Sequence, residues 1–106
     1  MSTFILLSKV SPASAGQMSH LAEMDKILEQ ELAESLPQVK RIASYALLGA
    51  YDFMHIFEAP DATTAAKVAL LANRFGVSST QTLTAIPFSE FSELARDITR
   101  VQVARG

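Results

Sequence analysis

The sequence predicts an α+β fold of the βαββαβ type with one extra C-terminal helix. Three observations predict it. Strand-like and helix-like apolar periodicities alternate in the order β-α-β-β-α-β-α. A glycine-centred hairpin joins the middle two strands. Neither long helical segment interrupts this order, so each connects two strands. Two strand–helix–strand units around a hairpin build a four-stranded antiparallel sheet with helices on one face. This is the ferredoxin-like arrangement, with the first and third strands in the middle.

Residues 3–9 read as the first strand, apolar on both sides as a central strand should be. Ser11-Pro12 ends it. Gly16 weakens a helical start, so residues 13–20 read as a loop or a short separate helix. Leu21, Met24, Leu28, Leu32 and Leu36 then recur at helical spacing, with Glu23, Lys26, Gln30 and Glu34 opposite. Pro37 stops that helix.

Residues 39–48 and 51–59 read as the hairpin strands. Gly49-Ala50 suits a two-residue type II′ turn, in which Gly49 takes positive φ. That turn sets a register: Leu48 opposite Tyr51, Ala46 opposite Phe53, Ser44 opposite His55 and Arg41 opposite Glu58. Asp61 is the expected N-cap of the second helix, whose buried stripe is Ala65, Val68, Ala69, Ala72 and Phe75, with Gly76 at its end. Residues 78–86 form the fourth strand, with Thr80, Thr82 and Thr84 on one face. Phe88, Phe91, Leu94, Ala95 and Ile98 mark a third helix, with Ser89 as its expected cap.

The chain of 106 residues suits a single domain spanning residues 1–106, and 49% of its residues are apolar, enough for a core. Its formal net charge of −2 argues against a phosphate-backbone partner, so no nucleic-acid role is expected. With no cysteine, disulfides, thiolate metal sites and cysteine nucleophiles are excluded. Phe4-Ile5-Leu6-Leu7 is too short for a signal core, and no run approaches the ~18 apolar residues of a membrane span. The expectation is a cytoplasmic protein with no membrane partner.

The hairpin is apolar on both faces. Ile42, Ala46, Leu48, Phe53 and Phe57 fall on one, and Ala43, Tyr45, Leu47, Met54 and Ile56 on the other. A sheet solvated on one side alternates more cleanly than this. The two main helices cover one face; the third could cover part of the other, and a second copy, expected there, covers more and gives a homo-oligomer.

Leu48-Gly49-Ala50-Tyr51-Asp52-Phe53, followed by Phe57-Glu58-Ala59-Pro60-Asp61, resembles the GYD family of small proteins, through Gly49, Tyr51 and Asp52. The stretches Thr3 to Lys9 and Thr82-Leu83-Thr84-Ala85 are similar to that family's first and last strands. The resemblance covers about residues 3–95. It implies a dimeric α/β barrel and assigns no activity. A similar Gly-x-Tyr-Asp hairpin occurs in the effector domains of feast/famine regulators, which sense small molecules between subunits.

No Gly-rich phosphate loop, Gly-x-Ser-x-Gly elbow or acid pair is present in the sequence. Ligand-binding candidates are Tyr45, Tyr51, Asp52 and His55. Tyr51 and Asp52 sit at the hairpin end, where the plain structural role is aromatic packing and a turn held by backbone hydrogen bonds. His55, mid-strand among apolar neighbours, is a candidate general base or ligand-orienting donor, or else a histidine bonded to Ser44. Tyr45 and Asp52 are expected on the face opposite His55. One such histidine with no second ligand at metal spacing gives no metal site, and no cofactor is expected. His20 is expected to be exposed, Arg41 and Glu58 to form a surface pair, and Met18, Met24 and Met54 to fill the core.

Three functions stand open. The chain is an oligomeric module holding a small apolar ligand between subunits. Alternatively it is a cofactor-free oxygenase- or isomerase-like enzyme using His55, Tyr45 or Asp52. Alternatively it is a purely structural or interaction protein.

Overall fold

The computed structural model describes residues 1–10, 19–74 and 77–105. The elements run β1 (Ser2–Val10), α1 (Leu21–Ser35), β2 (Lys40–Ala46), β3 (Phe53–Ala59), α2 (Ala62–Asn73), β4 (Val77–Ala85) and α3 (Phe88–Arg105). The strands form one antiparallel sheet in the order β2-β3-β1-β4. This is the ferredoxin-like α+β arrangement that the element order predicts. The expectations for residues 13–18, Met18, Phe75 and Gly76 fall outside the described residues.

One face of the sheet carries the core. Phe4 and Leu6 of β1 and Phe57 and Ala59 of β3 meet Leu32 and Leu36 from α1 and its C-cap. Ala65, Val68, Leu71 and Ala72 of α2 complete the cluster. Phe4 lies directly opposite Phe57, and their rings stack with centroids 5.8 Å apart. Small residues on α2 let that helix approach the sheet closely. Its N-terminus is fixed as the sequence predicts. Asp61 accepts hydrogen bonds from the backbone N–H of Thr64 (2.8 Å) and from its hydroxyl (2.7 Å). Those bonds hold the Asp61 carboxyl below its ordinary range.

The hairpin register holds in its middle: Ser44 opposes His55, Tyr45 opposes Met54 and Ala46 opposes Phe53. It departs from expectation at both ends. Near the turn, the Leu47 N–H donates to the Asp52 carbonyl at 2.8 Å. That makes Leu47 and Asp52 the hydrogen-bonded closing pair, so the loop holds four residues rather than two. Gly49 does take positive φ, at 149°. Leu48, expected on the Phe53 face, is instead fully exposed in the loop.

At the other end, the register shifts between Arg41 and Ala43. Ile42 is the extra residue of a bulge and is half exposed. Lys40 therefore opposes Glu58, and Arg41 opposes Phe57. The expected Arg41–Glu58 pair does not form, because the bulge turns Arg41 to the helix side of the sheet. At the start of α3, the Pro87 carbonyl accepts the Phe91 N–H. Pro87 holds the cap position, and Ser89 lies inside the first turn instead of capping it.

Asp52 ties the hairpin to the central strand. Its N–H donates to the Ser8 carbonyl (2.8 Å), and its Oδ2 accepts from the Val10 N–H (2.8 Å). Asp52→Ala leaves the Val10 N–H without that charged acceptor and is expected to cost about 1.5–3 kcal/mol. Asp52→Asn, which keeps a carbonyl acceptor, recovers part of it. Urea-unfolding midpoints of the three proteins check this; equal midpoints contradict it.

Candidate functional site

The sheet divides the candidate residues. On the helix side of the hairpin lie Phe57, His55 and Phe53 of β3 and, opposite them, Arg41, Ser44 and Ala46 of β2. On the open side lie Tyr45, Met54, Ile56 and Glu58. Thus His55 and Tyr45 fall on opposite faces of the sheet by register, as expected, although both border the cavity described below. Tyr51 reaches across to β4, where its hydroxyl donates to Gln81 Oε1 at 2.8 Å. The Asp52 carboxylate is taken up by the Val10 amide. The structure does not bring His55, Tyr45 and Asp52 together.

It brings His55 together with residues that the sequence did not single out as a group. Ser44 Oγ lies 2.8 Å from His55 Nδ1. Arg41 donates to Ser44 Oγ at 3.1 Å and to Asp25 Oδ1 of α1 at 2.8 Å. The result is a continuous chain, Asp25–Arg41–Ser44–His55, between α1 and the sheet. The bulge at Ile42 makes it possible. With regular pairing, Arg41 would share the open side with Ala43.

Burial pushes the His55 pKa below its ordinary value; the Arg41 charge adds to that, and Asp25 opposes it. His55 is therefore neutral at neutral pH. Arg41 fills one lone pair of Ser44 Oγ, so the Ser44–His55 bond is made either by the Ser44 hydrogen or by an Nδ1–H. In the first case His55 carries its hydrogen on Nε2, which has no partner among the described residues.

Beside this chain, a cavity of about 400 Å³ lies between the first half of α1 and the sheet. Leu21, Met24, Leu28, Val10, Phe53 and Val77 give it apolar walls, and Ser8, Asp25, Ser44, His55 and Tyr45 supply its polar groups. The small side chains of Ala46 and Ala72 leave the space open. Asp25 carries a sequence signal that the apolar periodicity obscured. It lies four residues after Leu21 and three before Leu28, so it is on the apolar stripe of its helix. His20 is exposed and lies 3.6 Å from Glu23. Met24 lines the cavity, and Met54 is on the open face. Among the described residues, no group of three His, Cys, Asp or Glu could hold a metal. No described helix is long and apolar enough to cross a membrane.

The depressed His55 value fixes a pH dependence. The unfolded chain, titrating near 6.5, takes up a proton before the folded one does. Stability is full above that value and declines as pH falls toward the folded value. Between about pH 7.5 and about pH 5.5, the urea midpoint of the wild type is expected to drop further than that of His55→Gln. Parallel pH profiles contradict this.

A family model described as the GYD domain matches residues 4–95. A Thermus thermophilus protein named glutamine synthetase and cystathionine beta-lyase binding protein is 42% identical over 91 residues, covering 85% of this chain and 94% of that one. Among solved structures, another protein of Thermus thermophilus aligns with a TM-score of 0.55 at 21% identity, covering 82% of this chain and 95% of that one. An Arabidopsis thaliana protein aligns with a TM-score of 0.58 at 11% identity, with the same two coverages, 82% and 95%. At these identities the structural matches establish the fold alone. The family match spans most of the chain, with the Gly49, Tyr51 and Asp52 signature inside it, and the chain belongs to the GYD domain family.

Proposed function

We propose that the chain is a self-associating binding protein whose partner is another protein, an enzyme of amino-acid metabolism. The observation that carries this reading is the unpartnered apolar surface. On the open side of the sheet, Ile5 and Leu7 of β1 adjoin Met54 and Ile56 of β3, flanked by Tyr45 and Leu83. No helix of the core cluster lies on that side. Ile5, Leu7, Met54 and Ile56 are half-buried by their neighbours in the sheet, whereas the stripe of α3 is bare: Phe88 is 83% exposed, Phe91 54%, Leu94 51% and Ile98 62%.

Area favours a second copy on the sheet. Four strands of about seven residues give a flat footprint of roughly 430 Å². The α3 stripe adds roughly 160 Å². Side-chain relief raises the accessible area toward the ~800 Å² per partner that stable complexes bury. The face is also flat, and a two-fold axis pairs it with itself. Such pairing places Tyr45 and Tyr51 near the seam, where a small apolar ligand held between subunits would meet them.

The relative at 42% identity is named for binding glutamine synthetase and cystathionine beta-lyase. Transferred to this chain, that name gives the partner class. The enzyme reading lacks a joined acid–base pair: Tyr45 and His55 border one cavity without a hydrogen bond between them among the described residues, and the Asp52 carboxylate accepts from the Val10 amide. Immobilised full-length chain is expected to bind the glutamine synthetase or the cystathionine beta-lyase of its own organism, saturably and with a Kd of about 10 μM or tighter. Absence of saturable binding to both enzymes contradicts the partner assignment.

A further inference from the structure

The cavity lies between α1 and the helix side of the sheet, and of the residues on the proposed seam only Tyr45 borders it. Its volume of about 400 Å³ lies within the range of small-molecule sites, roughly 300–1,000 Å³. It also has the make-up of such sites: apolar walls and a few polar groups converging along one side.

The polar side is specific about what it accepts. Ser44 occupies His55 Nδ1, so Nε2 is the ring nitrogen left for a ligand, and it carries the hydrogen when the Ser44 hydroxyl donates to Nδ1. Arg41 brings a positive charge behind Ser44, but Asp25 meets that charge at 2.8 Å. The wall is thus close to neutral, and Asp25, itself part of the lining, repels an anion. A cation finds in Asp25 a carboxylate already committed to Arg41. What fits is a neutral molecule with an apolar body and one acceptor atom.

We infer that this cavity is a binding site for a small, neutral, largely apolar carbonyl compound, whose oxygen accepts the His55 Nε2 hydrogen while its body packs among Met24, Leu28 and Phe53. The Asp25–Arg41–Ser44 chain acts by positioning: it fixes the tautomer and orientation of His55 and does not touch the ligand. Each subunit holds its own site. The inference does not depend on the partner-enzyme reading, since the lining named here comes from one chain and is tested without any enzyme present.

The test is an NMR titration of full-length protein with two probes of matched shape, acetophenone and ethylbenzene. Acetophenone is expected to bind saturably, shifting the His55 imidazole and Phe53 ring signals. Ethylbenzene, which lacks the acceptor, is expected to bind about tenfold more weakly, the worth of one hydrogen bond. In Ser44→Ala the ketone's advantage shrinks, and in His55→Leu it disappears while ethylbenzene still binds. The inference is overturned by no saturable shift with either probe, by equal affinities in the wild type, or by shifts confined to Ile5 and Ile56 on the open face. An advantage that survives in His55→Leu also overturns it. The wild-type comparison decides the matter even if a variant fails to fold.

Discussion

A single sheet with apolar residues on both faces, and core helices on only one, is the constraint from which the rest follows. β1 runs through the centre, with Phe4 and Leu6 turned to the helices and Ile5 and Leu7 turned away. The first pair meets Leu32, Phe57 and the small face of α2 and forms the core. The second pair has no core helix over it among the described residues. Burial on the helix side stabilises the subunit. In the proposed pairing, apolar surface on the far side would favour association by roughly 25 cal/mol per Å² removed from water, less the cost of immobilising the partner.

The helix side is in turn incomplete at one end. Leu32 and Leu36 seal the C-terminal half of α1 against the sheet, whereas Leu21, Met24 and Leu28 border a cavity. Into that end a one-residue bulge delivers Arg41, a cation that regular pairing would have sent to the other face. A buried or half-buried guanidinium requires a counter-charge, and Asp25 supplies it from the apolar stripe of α1. The pair orders Ser44, and Ser44 orders His55. A local backbone irregularity thereby organises the polar wall of the helix-side cavity.

Much of this was legible in the sequence because it rests on short-range rules. Asp61 capping α2, positive φ at Gly49 and the Ser44–His55 pairing follow from turn and cap chemistry. The sheet order follows from which strands are apolar on both sides. The bulge was not legible. When both faces of a strand are apolar, moving a register by one residue leaves the hydrophobic pattern satisfied, so Ile42 gives no signal. Every error at that end, Arg41 with Glu58 above all, descends from it. The wider hairpin loop was missed because Gly49 suits positive φ in either loop length. Ser89 was misread as a cap because Pro87 serves as well at that position. The cavity depends on where small residues such as Ala46 and Ala72 face a helix, which spacing along one chain does not encode.

The central claim is that the open face of the sheet is an interface between copies of this chain. Sedimentation velocity across a concentration series tests it most directly, with Ile56→Glu as the comparison, since Ile56 lies at the middle of that face. The account predicts a dimer or larger assembly for the wild type and a folded monomer for Ile56→Glu, with unchanged circular dichroism. A wild type that sediments as a monomer at every concentration would contradict it.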